Sequence, residues 1–149
     1  MKDVLLSICR WLLPILGVSA VGCNTIYQTA DEYGTPYADF EIKGKVTDAA
    51  TSGPLQGIEV SALDSDAVPM VSVTTDVEGR FELTGSFFPA ESIVIRANDI
   101  DGEENGGLFA PATITVQLDR SAGGDGWYSG KYTAENVSVT LSPDLSSDW

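Results

Sequence analysis

The sequence predicts an all-β chain folded as a seven-stranded β-sandwich. Two observations predict it. Apolar residues recur at a period of two in seven short runs, and clusters of Gly, Pro, Asp and Asn separate those runs about every dozen residues. A third is negative: no helical apolar period follows the first two dozen residues.

Each run presents one apolar side. Phe40, Ile42 and Val46 share a side, with Gly44 between them, while Glu41, Lys43 and Lys45 take the other. Ile58, Val60 and Ala62 alternate with Glu59 and Ser61, and Val71 and Val73 with Ser72 and Thr74. Phe81 and Leu83 follow, with Arg80 and Glu82 outside. Ile93, Ile95 and Ala97, then Ile114, Val116 and Leu118, then Val137, Val139 and Leu141 complete the set. Thr51-Ser52-Gly53-Pro54 is expected to close a hairpin, and Asp76-Val77-Glu78-Gly79 to turn tightly with Gly79 at positive φ.

The chain has 149 residues, room for one such domain. Eight basic residues against 22 acidic ones give a net charge of −14. That balance excludes nucleic acid as a partner, because phosphate binding needs a cationic face. There is no histidine, which removes Ser-His-Asp and Cys-His catalysis and most zinc and haem sites.

Residues 1–22 read as an export signal. Lys2 and Arg10 are basic, and Trp11, Leu12, Leu13, Pro14, Ile15, Leu16, Gly17 and Val18 form a short apolar run broken by proline. Ser19-Ala20-Val21-Gly22 then leads to Cys23. Ala20-Val21-Gly22-Cys23 resembles a bacterial lipobox, which implies cleavage before Cys23 and lipidation of its thiol. The other reading is an ordinary signal cut near Ala20, leaving a free thiol. The only other cysteine, Cys9, leaves with the signal, so a lipidated chain keeps neither a thiol nor a disulfide. Several acyl chains at one site hold a protein stably on a membrane.

The expected organisation is a lipoprotein signal peptide over 1–22, lipidated Cys23 with a tether over 23–39, the sandwich over 40–143 and a tail over 144–149, with Trp149 exposed. Asn24 follows the cysteine and no acidic cluster comes directly after it. This points to the cell envelope, lipid-anchored in the outer membrane and facing the periplasm, with the exterior as the alternative.

Three segments in order carry a resemblance: Gly44-Lys45-Val46-Thr47-Asp48, Gly53-Pro54-Leu55-Gln56-Gly57-Ile58-Glu59-Val60, and Thr75-Asp76-Val77-Glu78-Gly79-Arg80-Phe81-Glu82-Leu83. Together they resemble the carboxypeptidase regulatory-like domain, a transthyretin-like and Ig-like β-sandwich of exported proteins. The resemblance implies a structural or binding module with no catalytic residue. Three further segments are Tyr33 to Phe40, Asp99 to Gly107 and Gly124-Asp125-Gly126-Trp127-Tyr128. These resemble a group of small Bacteroidota lipoproteins named for a radical SAM enzyme encoded nearby. That resemblance implies a neighbouring enzyme as a partner, not an activity. The chain has no CxxxCxxC cluster motif of its own.

Two loops concentrate unusual chemistry. In Asp99 to Gly107, carboxylates stand at Asp99, Asp101 and Glu103, with Glu104 and Asn105 adjacent and glycines to bend the chain. Asp99, Asp101, Glu103 and Asn105, with Asp125 folding back from the second loop, are oxygen donors suited to calcium. The EF-hand pattern is not met, because Glu104 stands where it needs glycine. The alternative is a solvated acidic hairpin, since Asp-Gly and Asn-Gly favour turns by themselves. In the second loop, Trp127 and Tyr128 are candidates to grip a partner. The alternative is that an aromatic there seals the end of the sandwich.

Three function classes follow. The first is a calcium-stabilised, membrane-anchored binding or structural module, not an enzyme. The second is a substrate or partner of a radical SAM peptide-modifying enzyme. The third is a carboxylate-based hydrolase, for which nothing in the sequence sets two acids across a cleft.

Overall fold

The computed structural model describes residues 34–147. The signal peptide, Cys23, the tether up to residue 33 and Trp149 lie outside the described residues.

The domain is a sandwich of two four-stranded sheets. Its strands are β1 (Tyr37–Asp48), β2 (Ile58–Leu63), β3 (Pro69–Thr74), β4 (Arg80–Phe87), β5 (Ser92–Asp99), β6 (Ala112–Gln117), β7 (Asp119–Asp125) and β8 (Tyr128–Leu141). The first sheet has the order β4-β1-β8-β7, and the second β3-β2-β5-β6. All neighbours are antiparallel except β1 and β8, which pair in parallel from Tyr37 opposite Tyr128 to Asp48 opposite Leu141. The all-β sandwich is therefore as expected, with eight strands where seven were read.

Period-two alternation sends the expected side chains inward. Phe40, Ile42 and Val46 of β1 meet Phe81, Leu83 and Phe87 of β4, Val60 and Ala62 of β2, and Ile93, Ile95 and Ala97 of β5, all buried. Gly44 lies on the same inward face. A Cβ there would stand 2.6 Å from Cζ of Phe81, its partner across the ladder, so the ring occupies the space that glycine leaves. Fully burying a side chain of this size contributes roughly 1.5–3 kcal/mol.

The additional strand is β7. All seven of its residues are exposed and none is a large apolar residue, so it offers no hydrophobic period. Its ladder to β8 is formed by backbone pairing, supplemented by the Arg120 guanidinium donating to the Ser129 carbonyl and the Ser121 hydroxyl to the Lys131 carbonyl, with Gly124 and Gly130 in close approach. A Cβ on Gly124 would stand 2.5 Å from the Gly130 nitrogen. The glycine-rich segment read as a loop is thus a β-hairpin. Its tip, Gly126-Trp127, has positive φ at the first residue, as a two-residue type II′ turn requires.

β8 also begins nine residues before Val137, its first residue in the sequence pattern. Between Ile42 and Gly44 of β1, β8 runs from Ala134 to Val137, one residue too many, and Asn136 takes φ 57° to absorb the excess. The bulge reverses the parity. Ala134 before it and Val139 and Leu141 after it all face the core, although their numbers differ in parity.

One turn behaves differently from expectation and one as expected. Pro54 does pair back antiparallel on Thr47. The segment does not close a hairpin, however, because β1 and β2 belong to different sheets. Buried Thr75 fixes the crossing: its hydroxyl donates to the Leu55 carbonyl at 2.6 Å and accepts the Ile58 N–H at 3.1 Å. Ser52, not Gly53, takes the left-handed conformation, held by Asp48, whose carboxylate accepts from Ala50 N–H and the Thr51 hydroxyl. The Asp76–Gly79 turn has Gly79 at φ 73° as expected, and it too joins strands of different sheets.

Candidate functional site

The two ends of the sandwich differ in chemistry. One end is where the chain enters β1. The other carries the Asp99–Gly107 segment.

At the entry end, Tyr37 of β1 lies against Tyr128 of β8, with ring centroids 5.2 Å apart. The Tyr37 N–H donates to the Trp127 carbonyl at 2.9 Å, tying the hairpin tip to the start of β1. Phe88 comes one residue after Phe87, which pairs with Ala38, so it stands beside the start of β1 on the opposite flank. The first sheet therefore ends in a row of three aromatics, exposed by 68% at Phe88, 48% at Tyr37 and 42% at Trp127. Val68 and Met70, at the start of β3 in the second sheet, are also exposed at this end. Behind Phe88 an apolar hollow of about 300 Å³ opens between the sheets, lined by Leu63, Met70, Phe87, Phe88, Ile93 and Val94.

Below this row, on the outer face of the first sheet, lies a polar network. Asp39 accepts from the Ser86 hydroxyl at 2.7 Å and from the Tyr128 hydroxyl at 3.1 Å. Tyr128 has its pKa raised, first by burial and then by the Asp39 charge that its hydroxyl faces. Glu41 is flanked by Lys131 and Lys43, one ammonium on each carboxylate oxygen. Their hydrogen bonds, Lys131 before Lys43, hold its pKa down at about 2. Between these groups runs an open groove of about 340 Å³ lined by Asp39, Glu41, Thr84, Gly85, Ser86 and Lys131.

At the other end, the Asp99–Gly107 segment follows β5. Asp99 is a backbone cap. Its Oδ1 accepts from Asp101 N–H at 3.1 Å and Gly102 N–H at 3.2 Å, and its Oδ2 accepts from Phe109 N–H at 3.0 Å. The last bond places Phe109 in the core. Asp101 accepts from the Asn105 side-chain amide and lies over Gly57, where a Cβ would collide with it. Glu103 and Glu104 are exposed. Burial raises the Asp99 pKa, and the neighbouring Asp101 raises it further.

Asp125 does not join this group. It pairs with Tyr128 at the start of β8, whereas the acidic segment leads into Ala110, bonded to Ser142 beyond the end of β8. Fourteen residues of β8 separate them, about 40 Å at ~3.3 Å per residue. Among the described residues, no three Asp, Glu, His or Cys side chains converge in a way that could hold a metal ion. The expectation that Asp125 folds back onto Asp99, Asp101, Glu103 and Asn105 is thus corrected. The β7–β8 hairpin fixes it at the opposite end.

Trp127 and Tyr128 sit where the sequence placed them, at a glycine-rich aromatic tip. Tyr37, Asp39, Phe88 and Met70 were not singled out as site residues. The signal for the first two was present, because Ala38 continues the inward alternation of Phe40 and Ile42 and so turns Tyr37 and Asp39 outward.

No protein-family model matches the sequence, and no match was found among curated proteins. Solved structures do resemble the fold. A candidate membrane-associated protein of unknown function from Bacteroides fragilis NCTC 9343 is 23% identical, with a TM-score of 0.44 over 75% of this chain and 30% of its own. BcpA, the major pilin subunit of Bacillus cereus, is 14% identical, with a TM-score of 0.49 over 72% of this chain and 31% of its own. The 3-chlorocatechol 1,2-dioxygenase of Rhodococcus opacus 1CP is 13% identical, with a TM-score of 0.46 over 77% of this chain and 62% of its own. The chain spans less than two thirds of the length of each.

Proposed function

We propose that the protein is an exported lipoprotein, anchored through Cys23, whose β-sandwich acts as a binding or structural module held at the membrane of the cell envelope and not as an enzyme. One observation carries the reading: the lipobox-like Ala20-Val21-Gly22-Cys23 is followed, only 14 residues later, by the first residue of a central strand of the sandwich. An apolar run that ends in small residues and a cysteine, then a short polar stretch and a folded domain, is the order that an acylated, tethered module requires. Phase partition of the full chain in Triton X-114, expressed in a bacterial host, tests it. The wild type is expected in the detergent phase and Cys23→Ser in the aqueous phase or unprocessed. Equal partition of the two overturns the anchor.

A second reading makes the chain the substrate or partner of a radical SAM enzyme. It is favoured by the β7–β8 hairpin, whose edge strand is exposed along its whole length and built of small residues at Ser121, Ala122, Gly123 and Gly124. A mass shift within residues 119–127 in protein from its native host supports it, and the encoded mass there removes it.

Calcium binding by the Asp99–Asn105 segment is the alternative to a self-capped acidic turn, which the three backbone bonds of Asp99 favour. What supports calcium is the set of oxygen donors at Asp99, Asp101, Glu103 and Asn105 within one glycine-bent segment. The hydrogen bonds already made by Asp99 stand against it.

A further inference from the structure

Among the described residues, all the exposed aromatic side chains of this domain gather at one end, and Val77, Ile100 and Leu145 are single exposed aliphatics at the other. Phe88, Tyr37 and Trp127 line the end of the first sheet, and Val68 and Met70 stand at the same end of the second. The three aromatics come from three different places in the chain, the β4–β5 connection, the first residue of β1, and the β7–β8 turn. No single amphipathic segment produces the row. It exists only because the fold brings these places to one end, and it is also the end where the chain enters β1.

We propose that this end of the sandwich rests on the lipid surface, with Trp127, Tyr37 and Phe88 seated at the headgroup level and Met70 and Val68 beside them. The proposal rests on the anchor reading at Cys23 and goes beyond it by fixing which face of the domain meets the membrane. Three features name lipid as the occupant. First, only 14 positions separate Cys23 from Tyr37, a contour of at most about 50 Å, so an acylated chain keeps this end near the bilayer at high effective concentration. Second, Trp and Tyr, with apolar bodies and polar tips, are the side chains that partition to the membrane–water interface. Third, the opposite end carries Asp76, Glu78, Asp99, Asp101, Glu103, Glu104 and Asp144, which stay in water in this orientation, and its exposed apolar residues Val77, Ile100 and Leu145 stand among these acids with no exposed aromatic beside them. Asp64, Asp66, Glu91 and Asp125 flank the aromatic end itself, so the surface it fits is zwitterionic, not anionic.

The test uses the full lipidated protein with Trp149→Phe, in phosphatidylcholine vesicles with and without brominated acyl chains. Trp11 leaves with the signal, so Trp127 is then the reporter. Its emission is expected to shift to the blue and to be quenched by the brominated lipid. Two further reporters, each in Trp127→Phe/Trp149→Phe, keep the result independent of the hairpin. Phe88→Trp is expected to be quenched, and Val77→Trp, in the exposed turn at the far end, is not. Aqueous emission from both Trp127 and Phe88→Trp overturns the proposal, as does equal quenching of Val77→Trp. Intact mass of the same samples separates the two levels. A chain without acyl groups defeats the anchor reading, whereas an acylated chain in which Trp127 and Phe88→Trp are both unquenched defeats only the orientation.

Discussion

Tyr37 and Tyr128 face each other at the first rung of the parallel β1–β8 ladder, with ring planes tilted by 44°, and the Tyr128 hydroxyl reaches on to Asp39. The pair joins the start of the domain to the hairpin that carries Trp127. A cross-strand aromatic pair contributes about 0.5–1 kcal/mol beyond its buried area. Tyr128→Ala is therefore expected to lower stability by about 1–2 kcal/mol in urea unfolding, and Tyr128→Phe, which keeps the ring, by under about 1 kcal/mol. Equal losses for the two substitutions place the energy in the hydroxyl instead.

The same hydroxyl gives a spectroscopic prediction. Burial and then the Asp39 carboxylate raise the Tyr128 pKa above the ordinary tyrosine value. In Asp39→Asn the ultraviolet tyrosinate titration of Tyr128 is expected to move part of the way back down. An unmoved titration assigns the whole shift to burial.

Gly44 gives the sharpest core prediction. A Cβ there meets the Val137 carbonyl and the Phe81 ring together, and backbone cannot swing away as a side chain can. Gly44→Ala is expected to destabilise the domain by about 2–3 kcal/mol through overpacking. Gly44→Ala combined with Phe81→Leu, which removes the ring, recovers part of that loss. Gly123→Ala, with nothing near its Cβ position, is the contrasting control.

Acid sensitivity has a defined sign. Glu41 is held at about 2, below an ordinary glutamate near 4.5, by Lys131 and Lys43. A depressed folded-state pKa stabilises above the unfolded value, and the contribution is lost as pH falls from about 4.5 toward 2. Asp76 and Asp144 are lowered as well and act in the same direction. Asp99, raised, acts oppositely: its contribution is complete below the ordinary aspartate value and lost as pH rises through its folded one. Glu41→Gln is expected to flatten the fall in urea midpoint between pH 5 and 2, more so at low salt than at high salt. A fall as steep as in the wild type contradicts the pairing.

The acidic segment is expected to hold its shape through Asp99. Asp99→Ala removes the acceptor of three backbone N–H groups and is expected to cost about 1–3 kcal/mol. With those bonds intact, the melting temperature is expected to be the same in EDTA and in millimolar calcium. A calcium-specific rise that disappears in Asp99→Asn/Asp101→Asn establishes the calcium reading instead.

Legibility in the sequence followed burial. Phe40, Ile42, Val60, Leu83, Ile95 and Val139 alternate because one face of each strand is packed, and they were read correctly. Where packing is absent, so is the signal. Asp119–Asp125 has no buried face, and its strand identity comes from hydrogen bonding to β8 and not from apolar packing. In β8 the signal is present but scrambled, because the bulge at Asn136 shifts Tyr132 and Ala134 out of step with Val137 and Val139. Alternation also reports a face and never a partner. The parallel pairing of β1 with β8, and hence the distance between Asp125 and Asp99, was not in the pattern. The aromatic tip at Trp127 and Tyr128 was legible as composition, whereas its alignment with Tyr37 and Phe88 needed the sheet order.

The central claim is that this sandwich is held at a membrane through Cys23. The most direct measurement is mass spectrometry of the N-terminal peptide of the mature protein, purified from a bacterial host that processes lipoproteins. The account predicts a chain that begins at Cys23 and carries a thioether-linked diacylglycerol and an N-acyl group. A chain that begins after Ala20, with a free thiol at Cys23, contradicts it.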